Sequence, residues 1–196
     1  MLSKNCFLRQ LEELAPLQAE DVTHIDFAST PLKNGNFKDC NFENTNFENA
    51  DLSNCRFFSC NLSNTNFVGA TIANCIFVDS GLEKADFKNA NIKKTVIKQC
   101  RLSSGCYKGA TLSLSVFDES DLSHVALSEV NLNGCSFIDC TMNNASSVRT
   151  TFIETFFYKT DLSTVDFQKA VFRQLSLIEC AVINGDFKDK KISQIQ

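Results

Sequence analysis

NFKDC NFENT NFENA DLSNC RFFSC NLSNT NFVGA, residues 36–70, falls into blocks of five, each with Phe or Leu second and most with a small residue last. The frame runs outward in both directions with no visible insertion. Counting in fives from Phe27 to Ile192 visits 34 positions, and Ser147 is the only polar one among them. The residue two places before each of these centres is nearly always small, and eight of the ten Cys stand there: Cys40, Cys55, Cys60, Cys75, Cys100, Cys135, Cys140 and Cys180. The place between the two is often Asp or Asn, as in Asp26, Asn36, Asn41, Asn46, Asp51, Asn61 and Asn66. A period of five is neither the period of about 3.6 of a helix nor the period of about 2 of a strand. It fits a chain that turns a corner every five residues and points one large and one small side chain inward per segment.

Sorting the centres by steps of twenty gives four columns. One holds Phe27, Phe47, Phe67, Phe87 and Tyr107, and the column ten residues away holds Phe37, Phe57, Phe77, Phe117, Phe137 and Phe157. The two columns between them are mostly aliphatic, such as Leu32, Leu52, Ile72 and Ile92, or Leu62, Leu82, Leu102 and Leu122. Aromatic walls therefore oppose each other across a filled interior, and rings on successive coils can stack.

The pattern small–(Asp/Asn)–(Leu/Phe)–x–x over residues 22–192 resembles that of the pentapeptide-repeat family. The resemblance implies an all-β solenoid, a right-handed quadrilateral parallel β-helix with four repeats per coil. Thirty-four repeats then make about 8.5 coils and a rod on the order of 40 Å long. It also implies three functional classes: rods that bind other proteins, DNA mimics that protect or inhibit a type II topoisomerase such as gyrase, and bacterial effectors delivered into host cells. The family's gyrase-protecting members carry strongly acidic faces and a C-terminal dimerisation helix, and this sequence shows neither.

Composition narrows the field. The chain has 196 residues, suited to one domain, with 19 basic and 23 acidic side chains and a net charge of −4. That balance does not mark a nucleic-acid binder. No apolar run approaches the roughly 18 residues of a membrane span. MLSKNCFLRQ lacks the apolar stretch of a signal peptide, so a cytoplasmic protein with reduced thiols is expected.

The ends depart from the repeat. Residues 1–21 read as a short N-terminal α-helical cap: Ser3 can cap a helix carrying Phe7, Leu8, Leu11 and Leu14, stopped near Pro16. The β-helix is expected over 22–192 and a polar tail over 193–196. Lys188, Lys190 and Lys191 would discourage stacking of coil edges. Ser147 reads either as a local bulge or a tolerated hydroxyl satisfied by backbone, or as a break that turns residues 146–149 outward.

Catalysis needs convergent groups. Only His24 and His124 are present, and Asp121, Ser123 and His124 are expected to point outward on an open wall. Cys40, Cys60, Cys100, Cys140 and Cys180 form an inward ladder without the spacing of a metal site, and read as small buried hydrophobes. No enzyme activity, cofactor or metal is expected. Function then belongs to the outer walls. The wall centred on Phe37 through Leu177 carries outward Phe58, Ile76, Val78, Val96, Val116, Ile138, Phe156, Tyr158 and Ile178. The other walls carry mostly Ser, Asn, Thr and charges. Such a stripe implies a partner surface, with the preference of β-branched residues for flat strands as the competing account. Asp39, Asp79, Glu119, Asp139 and Glu179 line one edge as an acidic rim, and Lys84, Lys88, Lys93, Lys94, Lys98, Arg101 and Lys108 form a basic belt around several walls. The expected partner is a protein, or a second copy through this wall or the C-terminal end, with no direct nucleic-acid contact.

Overall fold

The computed structural model describes residues 3–12 and 16–182 and the strand backbone of Ile192–Gln194. An α-helix spans Lys4–Glu12, capped as the sequence suggests: Cys6 N donates to Ser3 Oγ at 3.3 Å. Its Phe7 is fully buried, with its ring 4.9 Å from Phe27, 5.7 Å from Phe37 and 6.1 Å from Phe42, so the helix covers the first coil. Leu14 lies outside the described residues.

Beyond the helix the chain is a four-sided parallel β-solenoid. One wall is a ten-stranded sheet that begins with Leu17–Gln18, and a second is a six-stranded sheet of segments from Thr71–Ala73 to Val171–Arg173. The other two walls are held by single parallel bridges, such as Asp26↔Asn46↔Asn66 and Asn41↔Asn61↔Gly81. Partners lie twenty residues apart, as in Phe57↔Phe77 and Leu132↔Phe152. Pairing starts at Leu17, ahead of the boundary expected at residue 22.

The centres and the small residues two places before them fill the interior. Phe27, Phe47, Phe67, Phe87 and Tyr107 stack at 5.5, 5.3, 4.8 and 4.6 Å, and Phe117, Phe137 and Phe157 at 4.8 Å each. Each buried ring contributes roughly 2–3 kcal/mol of transfer free energy.

Two kinds of corner connect these walls. At the turn corners where Asp or Asn precedes the centre, its carboxylate or amide oxygen accepts the N–H two residues on, as Asp26 does from Ala28 at 2.9 Å and Asp121 from Ser123 at 2.9 Å. The next inward N–H then closes a turn back to the centre's carbonyl, as Thr45 N does to Phe42 O at 3.0 Å. Asn36, Asn91 and Asn131 precede their centres within strands instead. The strand corners lack that closure. There every inward corner residue from Cys40 to Thr160 is Cys, Ser or Thr. The hydroxyl of one coil accepts the otherwise unpaired, buried N–H of the coil before it: Ser80 Oγ from Cys60 N at 3.1 Å, Ser120 Oγ from Cys100 N at 3.1 Å, Ser115 Oγ from Thr95 N at 3.2 Å. A buried N–H must find a partner, and a small polar group supplies it without crowding the core.

Every fifth residue from Ala19 to Glu179, Thr164 excepted, holds a φ between 49° and 72°. Asn tolerates this left-handed conformation better than most side chains, which accounts for Asn34, Asn44, Asn49, Asn54, Asn64 and Asn74 at these corners.

Two expectations are corrected. Ser147 neither bulges nor breaks the coil: it is fully buried, its N–H reaches Asp166 O at 2.7 Å, and Ser146 keeps its bridges to Ala126 and Asp166. Its hydroxyl has no hydrogen-bond partner, like that of buried Tyr107. The five-residue frame also fails before Ile192. Ile192 pairs with Leu175, where the twenty-residue rule expects Phe172; Leu175 begins a strand and is buried where a small corner residue should stand. Ser193 and Gln194 pair as well, inside the expected tail. Phe187, Lys188, Lys190 and Lys191 lie outside the described residues.

Candidate partner-binding wall

The outer face of the ten-stranded wall presents two columns of side chains, one on each side of the buried centres. Strand alternation puts Arg56, Ile76, Val96, Val116, Ser136 and Phe156 in one, and Lys38, Phe58, Val78, Lys98, Asp118, Ile138, Tyr158 and Ile178 in the other. All nine residues singled out from the sequence lie in these columns. Phe58 pairs with Val78, Ile76 with Val96 and Val96 with Val116, and Ile138 with Tyr158 and Tyr158 with Ile178. Phe156 stands beside Tyr158 with ring centroids 6.4 Å apart. Most are half-buried by their neighbours, and Val96 is 40% exposed.

Sequence reading missed the interruption in the second column. Lys98 Nζ lies 2.6 Å from Asp118 and 3.3 Å from Glu119, a pairing between successive coils that raises the Lys98 pKa, Asp118 contributing most. Val96 and Val116 bridge this gap on the first column. It also missed Leu114, at the corner just before Val116, which is 55% exposed. Among the described residues Leu114 is the only large apolar residue at a left-handed corner, and that misfit was the available signal.

Asp39, Asp79, Glu119, Asp139 and Glu179 are all exposed corner residues with φ between 49° and 56°. Lys98 contacts Glu119, and Lys159 lies 4.0 Å from Glu179 and over the Tyr158 ring at 5.2 Å. The basic belt is divided among separate acidic partners: Lys88 with Asp86, Arg101 with Glu83, Lys108 with Glu129 at 4.0 Å. Asp121 is committed to the Ser123 backbone and His124 sits exposed on a left-handed corner, so Asp121, Ser123 and His124 do not converge.

The inward thiols donate to backbone carbonyls, Cys55 to Leu32 O and Cys75 to Leu52 O at 2.9 Å each. Burial pushes Cys75 up to about 12 and Cys100 and Cys140 up to about 11. Proton sharing with Cys40, followed by burial, raises Cys60. Such thiols are poor nucleophiles and metal ligands. Among the described residues no group of three His, Cys, Asp or Glu is arranged to hold a metal, and no helix is long and apolar enough to cross a membrane.

Residues 50–127 match the family model described as Pentapeptide repeat region, and residues 131–168 match that for Pentapeptide repeats (8 copies). The chain belongs to the pentapeptide-repeat family. A trypsin-treated variant of QnrB1, a plasmid-mediated fluoroquinolone resistance protein, superposes with a TM-score of 0.74 at 23% identity, covering 92% of this chain and 90% of that one. Full-length QnrB1 gives a TM-score of 0.67 at 20% identity, covering 93% and 94%. HetL, involved in heterocyst differentiation regulation in the cyanobacterium Nostoc, gives 0.43 at 17% identity, covering 93% and 91%. The two QnrB1 likenesses establish the fold of the pentapeptide-repeat chain. A search of curated proteins returns no match.

Proposed function

We propose that this pentapeptide-repeat protein is a non-catalytic rod that recognises a partner protein through the outer face of its ten-stranded wall. The contrast with the six-stranded wall carries the reading. Both walls have the same strand backbone, yet the second presents Thr71, Asn91, Thr111, Asn131 and Thr151 outward and turns apolar only at its end, in Ile153 and Val171. Strand geometry alone therefore does not call for Phe58, Ile76, Val78 or Ile138, and an apolar strip on one side is the mark of an interaction surface. The acidic corner supports a protein partner over DNA mimicry, since Lys98 and Lys159 interleave with it and leave no continuous anionic track.

The test pairs two triple variants: Val78→Lys, Ile138→Lys and Tyr158→Lys on one wall, Thr71→Lys, Thr111→Lys and Thr151→Lys on the other. Both should keep the circular-dichroism spectrum of the parent. A partner captured by the parent and by the threonine variant, but lost by the first variant, is the expected result. Equal capture, or equal self-association in light scattering, by all three overturns the reading.

A further inference from the structure

The dimensions of the apolar strip and the unequal charge of its two borders select among occupants. From Phe58 to Ile178 the strip crosses six coil steps, or about 30 Å at roughly 4.8 Å per coil, and two outward columns on short strands make it about 10 Å wide. That is roughly 300 Å², well under the ~800 Å² each partner contributes to a standard stable interface. A second copy laid wall to wall falls short. An added β-strand finds no edge on this face, because the strands from Arg56–Phe58 to Phe156–Tyr158 are hydrogen-bonded to the coils on both sides. An α-helix is about 10–12 Å across with its side chains, and about 20 residues span 30 Å. Its flanks would also reach both corners.

Those corners differ. On one border, among the described residues, Asp79 and Asp139 have no cation within ion-pair distance, while Lys98 contacts Glu119 and Lys159 lies near Glu179. The opposite border opens as an amide ladder, Asn54 donating to Asn34 at 3.0 Å and Asn74 to Asn54 at 3.2 Å, and continues through Lys94, Leu114, Gly134, Glu154 and Gln174, so its cation and its anion balance. We propose that the strip seats an amphipathic α-helix of the partner, its axis along the rod, its apolar face on the two columns, and a row of Lys or Arg along the Asp79–Asp139 border. The proposal rests on the ten-stranded wall being the docking face.

Three fluorescent peptides of about 20 residues test it by anisotropy against the full chain: an apolar-faced helix with a Lys row on one flank, the same helix with a Glu row, and the Lys peptide with two central Pro. The Lys helix should bind at least about ten-fold more tightly than either of the others. Asp79→Lys with Asp139→Lys should erase or reverse the preference for Lys over Glu; Lys84, Lys94 and Lys159 already adopt that corner conformation. Ile138→Lys with Tyr158→Lys should abolish binding. No binding of the Lys helix at about 100 µM, or a charge preference untouched by the Asp variants, overturns the proposal. Equal binding of the Pro-broken peptide, still lost with Ile138→Lys and Tyr158→Lys, rejects the helix and leaves the wall as a docking face. Peptide binding indifferent to Ile138→Lys and Tyr158→Lys rejects both.

Discussion

The ten-stranded and six-stranded walls are alike from inside and unlike from outside. Inside, each presents one buried centre per coil, Phe117, Phe137 and Phe157 on the first and Leu112, Leu132 and Phe152 on the second, with Cys, Ser or Thr at the corners that follow. Outside, Phe58, Val78, Ile138 and Tyr158 face solvent on one and Thr71, Asn91, Thr111 and Asn131 on the other. Folding thus constrains the inner half of every repeat and leaves the outer half open to other demands. A solenoid whose coils touch only their neighbours can vary a whole outer column without disturbing the core.

The largest expected effect breaks the inner likeness. Phe137 lies between Phe117 and Phe157 at 4.8 Å each, so Phe137→Ala should cost about 3–5 kcal/mol, and Leu132→Ala about 2–5 kcal/mol. Ile138→Ala, one residue from Phe137 but outward, should cost less than about 1 kcal/mol. Denaturant midpoints measure all three. An Ile138→Ala loss equal to that of Phe137→Ala would mean the outer column is part of the folding core, and the division between the faces would fall.

A smaller effect separates the two kinds of corner. Ser120 accepts Cys100 N and donates to Asp118 O at 2.9 Å, so Ser120→Ala strands a buried N–H and should cost about 1–3 kcal/mol. At a turn corner Thr65 only donates, to Phe42 O at 3.1 Å, and that carbonyl keeps Thr45 N. Thr65→Ala should cost about 0.5–1.5 kcal/mol. Equal losses in denaturant titrations would show that the hydroxyl is chosen for size alone.

How much of this was legible follows from the range of each cause. Burial in a five-residue repeat depends on position within the repeat, so the centres, the inward Cys and the four columns could be read directly. The corner types were written locally only in part: Asp26 and Asn41 stand at turns and Ile76 and Val96 in strands, but Asn91 and Asn131 also lie in strands and Gly81 and Ala126 at turns. Where the N–H groups go is revealed only by coil-to-coil geometry. Asn at the left-handed corners belongs to the same class. Lys98–Asp118 and the shift from Phe172 to Leu175 as the partner of Ile192 arise between residues about one coil apart, where no local pattern records them. The apolar strip was visible as a column, whereas its interruption and its extension to Leu114 were not.

Leu114 offers the smallest and most discriminating test, because it stands at the corner between the two walls. Its φ of 53° carries a cost of about 1–2 kcal/mol for an ordinary side chain and less for Asn. It leans over Gly134 on the next coil, its Cδ2 only 2.8 Å from where a β-carbon there would sit, yet more than half of its surface remains exposed. Little burial therefore offsets the strain. Leu114→Asn should raise stability by about 0.5 kcal/mol and weaken partner binding together, the signature of a residue kept for contact at the expense of the fold. Denaturant midpoints and partner affinity, measured on the same variant, decide it. A loss of stability with unchanged affinity would assign Leu114 to the packing of Gly134 and confine the docking face to the ten-stranded wall.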